Sequence, residues 1–219
     1  MNQIAHQIKE IESQLDNQAR LIAVSKRQGN DKILEAYNTG FKRFGENYVQ
    51  ELISKQEELP KDIEWHMIGH LQSNKVKYIA PFISLIHSVD SLKLLKEINK
   101  QALKNERVID CLLQVHIAKE STKTGFDKNE LIEALKTGLD IFSNVRIIGL
   151  MGMSTLTNDE NEIETEFKGL KNLFDEVKDN NPELPLTELS MGMSGDWPLA
   201  VKNGSTLIRV GSAIFGKRL

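Results

Sequence analysis

Eight short apolar segments recur along the sequence, and each of the first seven is followed by a longer stretch with a different period. The short segments are 21–25, 43–45, 64–68, 85–89, 108–115, 147–151, 188–191 and 207–210. In the longer stretches apolar residues return every three or four positions, the spacing of one helical face. Over 91–104 that face carries Leu92, Leu95, Ile98 and Ala102; over 160–178 it carries Ile163, Phe167, Leu170, Phe174 and Val177. Strands alternating with helices build a parallel sheet through right-handed crossovers. Eight such units in 219 residues predict an α/β fold, a single (β/α)8 TIM-type barrel near the lower end of its size range. An open doubly wound sheet is the alternative. Against it, no G-x-G-x-x-G follows the first strand, where a dinucleotide fold would place one. The chain reads as one domain, 1–219, with an extra N-terminal helix over 1–16, where Ile4, Ile8, Ile11 and Leu15 share a face.

Composition narrows the partners. A net charge of −3, with Lys and Glu interspersed, gives no electrostatic reason to expect nucleic acid or an anionic membrane. No apolar stretch is long enough to span a bilayer, and the polar start MNQIAHQIKE is unlike a secretory signal. The single cysteine, Cys111, lies in an apolar run and reads as a small core residue. A reducing cytoplasm is expected. The outer helices show no long unexplained apolar stripe, so a monomer is expected too.

In such barrels chemistry collects where strands end. Strand one ends in Ser25-Lys26. A desolvated lysine there has a lowered pKa and a nucleophilic amine, although it can also snorkel to solvent. Strands seven and eight run into Met191-Gly192-Met193-Ser194-Gly195 and Arg209-Val210-Gly211-Ser212. Backbone N–H groups and hydroxyls at such turns suit a phosphate, and the same glycines also serve tight turns. Loops after strands seven and eight are the recurrent phosphate site of these barrels. His66 and His70 have an i, i+4 spacing, but Gly69 interrupts them and no Glu follows His66. A metal held by His66, His70, His87 and His116 is therefore not expected; His87 lining a ligand pocket is. No G-x-S-x-G or Cys–His pairing supports a hydrolase.

The motifs AVSK at 23–26, RFGENYVQEL at 43–52, EWHMIGHLQSNKVK at 64–77, HSVDS at 87–91, LSMGMSGDW at 189–197 and STLIRVGSAIFGKR at 205–218 are long and ordered. Through them nearly the whole chain resembles the pyridoxal phosphate homeostasis proteins, once called proline synthetase co-transcribed homologues. Their fold is a single barrel like the N-terminal domain of alanine racemase, the fold type III class. The resemblance implies pyridoxal 5'-phosphate as cofactor, with Lys26 as its Schiff-base lysine. It implies Ser194, Gly211 and Ser212 at the phosphate, helped by Gly192, and Arg209 facing the pyridine nitrogen. Asn47, His87 and Met151 fall where the family lines the ring pocket.

An arginine stays protonated and discourages the ring nitrogen from taking a proton, which makes the ring a poorer electron sink. The chain stops at Leu219, just after the barrel, so the second domain and the tyrosine it gives racemases are not expected. Two departures from the family pattern stand out. Trp197-Pro198 is expected to stiffen the start of a helix, and His116-Ile117-Ala118-Lys119 is expected at the pocket mouth. The reading that follows is a non-catalytic binder in cellular homeostasis of the cofactor, with apo pyridoxal phosphate enzymes as recipients. An amino-acid racemase of low activity and a Schiff-base aldolase without bound cofactor are the alternatives.

Overall fold

The computed structural model describes residues 3–120, 124–136 and 142–216. Its strands are β1 (Arg20–Val24), β2 (Arg43–Glu46), β3 (Glu64–Met67), β4 (Leu85–Val89), β5 (Ile109–Val115), β6 (Val145–Gly152), β7 (Glu188–Ser190) and β8 (Leu207–Val210). They pair in chain order and close into a barrel. Closure comes from a parallel β1–β8 pairing in which Ile22 faces Arg209 and Ala23 faces Val210. The (β/α)8 architecture read from the alternating periods is the one observed. Each strand-like segment of the sequence forms a strand, with ends shifted by a residue or two. The largest shift extends β6 back to Val145, because its pairing with β5 continues to Ile109.

The intervening helices are α1 (Gln3–Leu15), α2 (Asn30–Tyr37), α3 (Val49–Glu58), α4 (Val76–Ile79), α5 (Leu92–Lys104), α6 (Lys128–Lys136), α7 (Glu160–Asn180), α8 (Trp197–Lys202) and α9 (Ser212–Phe215). The extra N-terminal helix forms, and Ile4, Ile8, Ile11 and Leu15 are all buried. It packs on α2, α9 and β1, across the seam where the barrel closes. Ser91 caps α5 by accepting from the Leu94 N–H at 3.3 Å, and Asp159 caps α7; such caps contribute about 1 kcal/mol each. Pro198 sits in the first turn of α8, where its missing N–H costs nothing. No helix among the described residues is long and apolar enough to cross a membrane.

Strand alternation divides the side chains into two sets. The outward set packs under the helices as one large core and includes Cys111, fully buried. The inward set fills the barrel: Ile22, Leu85, Leu112, Met151 and Leu207 form a separate apolar cluster. Polar residues complete that interior, among them His66, His87, Ser190 and Arg209, all buried. Inward positions two apart climb from floor to mouth. On β1 they are Arg20, Ile22 and Val24; on β3 they are Glu64 and His66, followed by Ile68.

Candidate binding site at the barrel mouth

The C-terminal ends of the strands enclose a cavity of about 260 Å³. Its lining includes Lys26, Asn47, Ser194, Arg209, Gly211 and Ser212, together with Val24, Ile68, Met153, Met193 and Gly195. The volume lies just below the usual range of roughly 300–1,000 Å³ for small-molecule sites. It suits one compact ligand. A larger cavity, about 450 Å³, opens at the opposite end of the barrel among paired charges. Barrels of this kind carry their chemistry at the mouth, so the smaller cavity is the candidate site.

Lys26 follows β1 in a tight turn, where the Gln28 N–H donates to the Ser25 carbonyl at 3.0 Å. Both of its chain neighbours are clamped from below. The Ser25 hydroxyl donates to Glu46 Oε1 at 2.5 Å, and Lys55 Nζ donates to the Ser25 carbonyl at 2.8 Å. The same ammonium reaches Glu46 at 2.8 Å and Glu51 at 2.6 Å, and Glu51 Oε1 accepts from the Arg27 N–H. Arg27 has φ +59°, a left-handed conformation that a non-glycine residue holds only when its surroundings impose it. Its guanidinium also lies over the Tyr48 ring, 5.8 Å from the centroid. Burial raises the Glu46 pKa above the ordinary range, and Lys55 and Ser25 partly offset it.

Arg209 enters from β8 and is 4% exposed. Its guanidinium donates to Ser190 Oγ at 2.5 Å and to the Gly152 carbonyl at 2.9 Å. Burial lowers its pKa to about 10, and Asp196 acts in the opposite direction. It stays cationic at neutral pH, and no carboxylate of the described residues lies within ion-pair distance. Of the five donors on a guanidinium, two are spent on protein. Arg209 also lines the mouth pocket.

Two loops form the far wall. After β7 the chain turns through Gly192 at φ +93°, where a Cβ would meet that of Ala200 at 2.6 Å. The Gly192 carbonyl accepts from the Arg209 N–H at 3.0 Å, which joins this loop to β8. Asp196 fixes the loop by accepting from the Met193 N–H and the Ser154 hydroxyl. Ser194 Oγ accepts from the Gly211 N–H at 3.2 Å. The N–H groups of Ser194 and Gly195 have no acceptor among the described residues, and space beside Gly195 is open. The Ser212 N–H precedes the first internal bond of α9. Helices α8 and α9 are short, so what the two loops present is hydroxyls and backbone N–H groups rather than a long helix dipole.

Asn47 has its side-chain oxygen buried without a hydrogen-bond partner. The chain there lies so close to Gly69 that a Cβ would fall 2.5 Å from the Asn47 carbonyl. An orphaned amide oxygen, a lysine, a buried cation and an N–H-rich cradle fit a small phosphorylated aldehyde.

Six of the nine residues singled out in the sequence therefore meet at the mouth. The other three lie behind it. His87 is wholly buried and bonded to His66 and Ser190, each at 2.9 Å. Met151 belongs to the apolar interior, and Gly192 supports the loop. The lining that the sequence reading missed includes Ile68 and Met153, each two residues beyond an inward position on its strand. Counting outward in twos from His66 and Met151 would have found both. His70 instead pairs with Asp90 at 3.0 Å, and His116 bonds the Glu120 carbonyl. No group of three metal-ligating side chains forms among the described residues.

Residues 1–218 match the family model described as alanine racemase, N-terminal domain. The pyridoxal phosphate homeostasis protein of Aquifex aeolicus is 41% identical over 205 residues, covering 93% of this chain and 89% of its own. The chain belongs to the pyridoxal phosphate homeostasis protein family. A solved family structure, PipY of Synechococcus elongatus with pyridoxal phosphate bound, superposes with a TM-score of 0.91 at 42% identity, covering 98% of this chain and all of PipY. Alanine racemase of Clostridium difficile shares the fold alone, with a TM-score of 0.78 at 13% identity; the homeostasis-protein barrel covers 57% of its length.

Proposed function

We propose that this chain holds pyridoxal 5'-phosphate in the mouth pocket, with Lys26 as the attaching amine, and acts in cellular homeostasis of the cofactor. The observation that carries the reading is the meeting, in one small pocket, of Lys26, the buried Arg209 cation and the Ser194–Gly195 and Gly211–Ser212 turns. When bound, the cofactor supplies an aldehyde that condenses reversibly with amines and a ring that draws electron density from them. The chain's own residues divide the remaining work. Ser194, Gly195, Gly211 and Ser212 bind the phosphate through hydroxyls and N–H groups. The clamped Ser25–Arg27 turn orients the Lys26 amine. Arg209 donates a proton toward the pyridine nitrogen and, staying charged, does not surrender it. Asn47 offers its buried amide to the ring's edge. Ile68, Met153 and Met193 give apolar walls.

Among the described lining residues only Lys26 and Arg209 carry ionisable side chains. Two-base chemistry on opposite faces of a substrate has no second partner there, which favours binding and release over racemisation. The further assignments are one domain over 1–219, a monomer, a reducing cytoplasm and delivery to apo pyridoxal phosphate enzymes. Support for the compartment is the single buried thiol of Cys111.

Borohydride treatment of protein loaded with pyridoxal 5'-phosphate, then peptide mapping, should place the pyridoxyl group on the Lys26 peptide. Label on Lys55 or Lys75 in its place would sink the assignment. Incubation with a panel of L-amino acids should give no sustained turnover.

A further inference from the structure

Behind Arg209 a line of polar side chains crosses the barrel interior. Arg209 donates to Ser190 Oγ at 2.5 Å, Ser190 Oγ lies 2.9 Å from His87 Nδ1, and His87 Nε2 lies 2.9 Å from His66 Nδ1. Ser190 and His87 are wholly buried, and His66 is 6% exposed. His66 also lines the floor cavity of about 450 Å³ at the opposite end of the barrel. Its second ring nitrogen bonds nothing among the described residues. The floor itself is charged: Arg20 pairs with Glu188, and Arg146 with Asp110.

The direction of the bonds follows from the inventory of donors. A guanidinium only donates, so Ser190 Oγ accepts from Arg209. The Ser190 hydroxyl must then find an acceptor, and His87 Nδ1 is the one neighbour among the described residues able to serve. Were His87 Nδ1 protonated instead, the Ser190 proton would be buried with no partner. With Nδ1 as acceptor, His87 carries its proton on Nε2 and donates to His66 Nδ1. His66 in turn carries its proton on Nε2. Both rings are held neutral: burial pushes the His66 pKa down to about 3, and burial, with the adjoining His66 and the Arg209 cation, pushes His87 well below its ordinary value.

We propose that Ser190, His87 and His66 are positioning residues, a polarised relay that holds the Arg209 guanidinium as a donor toward the mouth pocket and ends as an N–H donor in the floor cavity. The relay orients Arg209 whether or not a ligand is present. Its effect on a bound ring rests on the cofactor reading above.

Long-range nitrogen–proton correlation spectra of ¹⁵N-labelled, cofactor-free protein read the tautomers directly. Both rings should be neutral with the proton on Nε2. A proton on Nδ1 of either ring, or an imidazolium at neutral pH, overturns the relay. Ser190→Ala should replace the single His87 tautomer by a mixture; an unchanged single tautomer overturns the role given to the hydroxyl. If that variant fails to fold, the wild-type tautomers still decide. With pyridoxal 5'-phosphate labelled at the ring nitrogen, Ser190→Ala should also move that nitrogen's resonance, and an unmoved signal overturns the link to the ring. Failure of the wild type to load at all counts against the cofactor reading, and the tautomers then judge the relay alone.

Discussion

Arg209 is held by two acceptors set at an angle, the Ser190 hydroxyl and the Gly152 carbonyl, and a planar fork meets both. A lysine ammonium at that position reaches one at most. Arg209→Lys should therefore lower unfolding free energy by about 2 kcal/mol, the scale of one hydrogen bond to a charged group. Arg209→Glu should cost more, about 3–5 kcal/mol, because a buried carboxylate then faces a carbonyl and a hydroxyl. Urea denaturation of the cofactor-free variants measures both, and equal stability of all three would show that the fork is not needed. His66 and His87 belong to the same scale. Their folded pKa values lie below the ordinary 6.5, His66 at about 3. Stability from burying them neutral is complete above pH 6.5 and is lost as pH falls toward 3. Between about pH 6 and pH 5 His66 should contribute a loss of roughly 1 kcal/mol, and His87 acts in the same direction. His66→Gln should flatten the stability–pH curve by that amount, and an unchanged slope would mean that His66 is protonated in the fold. That His66, His87, Ser190 and Arg209 lie on strands was legible in the alternation of periods, but their shared place in the interior was not read from it. Which of their atoms meet was not legible, because an inward position fixes the direction of a side chain and not its height or rotamer.

At the scale of elements, the turn that carries Lys26 depends on a helix from the next unit. Lys55 of α3 binds Ser25, Glu46 and Glu51 at once. Removing it leaves Glu46 buried, with one carboxylate oxygen already unpartnered. Lys55→Met should destabilise by about 3–5 kcal/mol and slow pyridoxyl labelling of Lys26. Adding Glu46→Gln should recover part of the stability while labelling stays slow, since the Ser25 carbonyl still lacks its clamp. Full recovery of labelling in the double variant would rule the clamp out. The strands and helices themselves were readable because apolar periods of two and three-to-four alternate so regularly. The clamp was not, since it is built from charged residues on α3 whose spacing looks like an ordinary solvent-facing pair. The His116 segment was expected at the pocket mouth, yet it does not line the pocket among the described residues. The bond to Glu120 turns that histidine onto its own loop.

For the whole molecule, barrel and ligand should unfold as one thermodynamic system. Pyridoxal 5'-phosphate at about a hundred times its dissociation constant should add roughly 2.7 kcal/mol to stability, some 5–10 °C in the unfolding midpoint of a chain this size. Pyridoxal without phosphate should add little. Ser194→Ala and Ser212→Ala should each cut ligand affinity by about 1–3 kcal/mol. Equal midpoint shifts for the phosphorylated and unphosphorylated forms would make the two loops structural turns only. The Ser25–Arg27 clamp carries a further consequence, for transplantation. Grafting the AVSK tetrapeptide onto another barrel would move an amine without the conformation that aims it, because the left-handed Arg27 is stabilised by Glu51 and Tyr48 of the following unit. The smallest portable piece is the run from β1 through α3, some forty residues from Arg20 to Glu58. Evolution by exchange of single β/α units would break this site at that seam first.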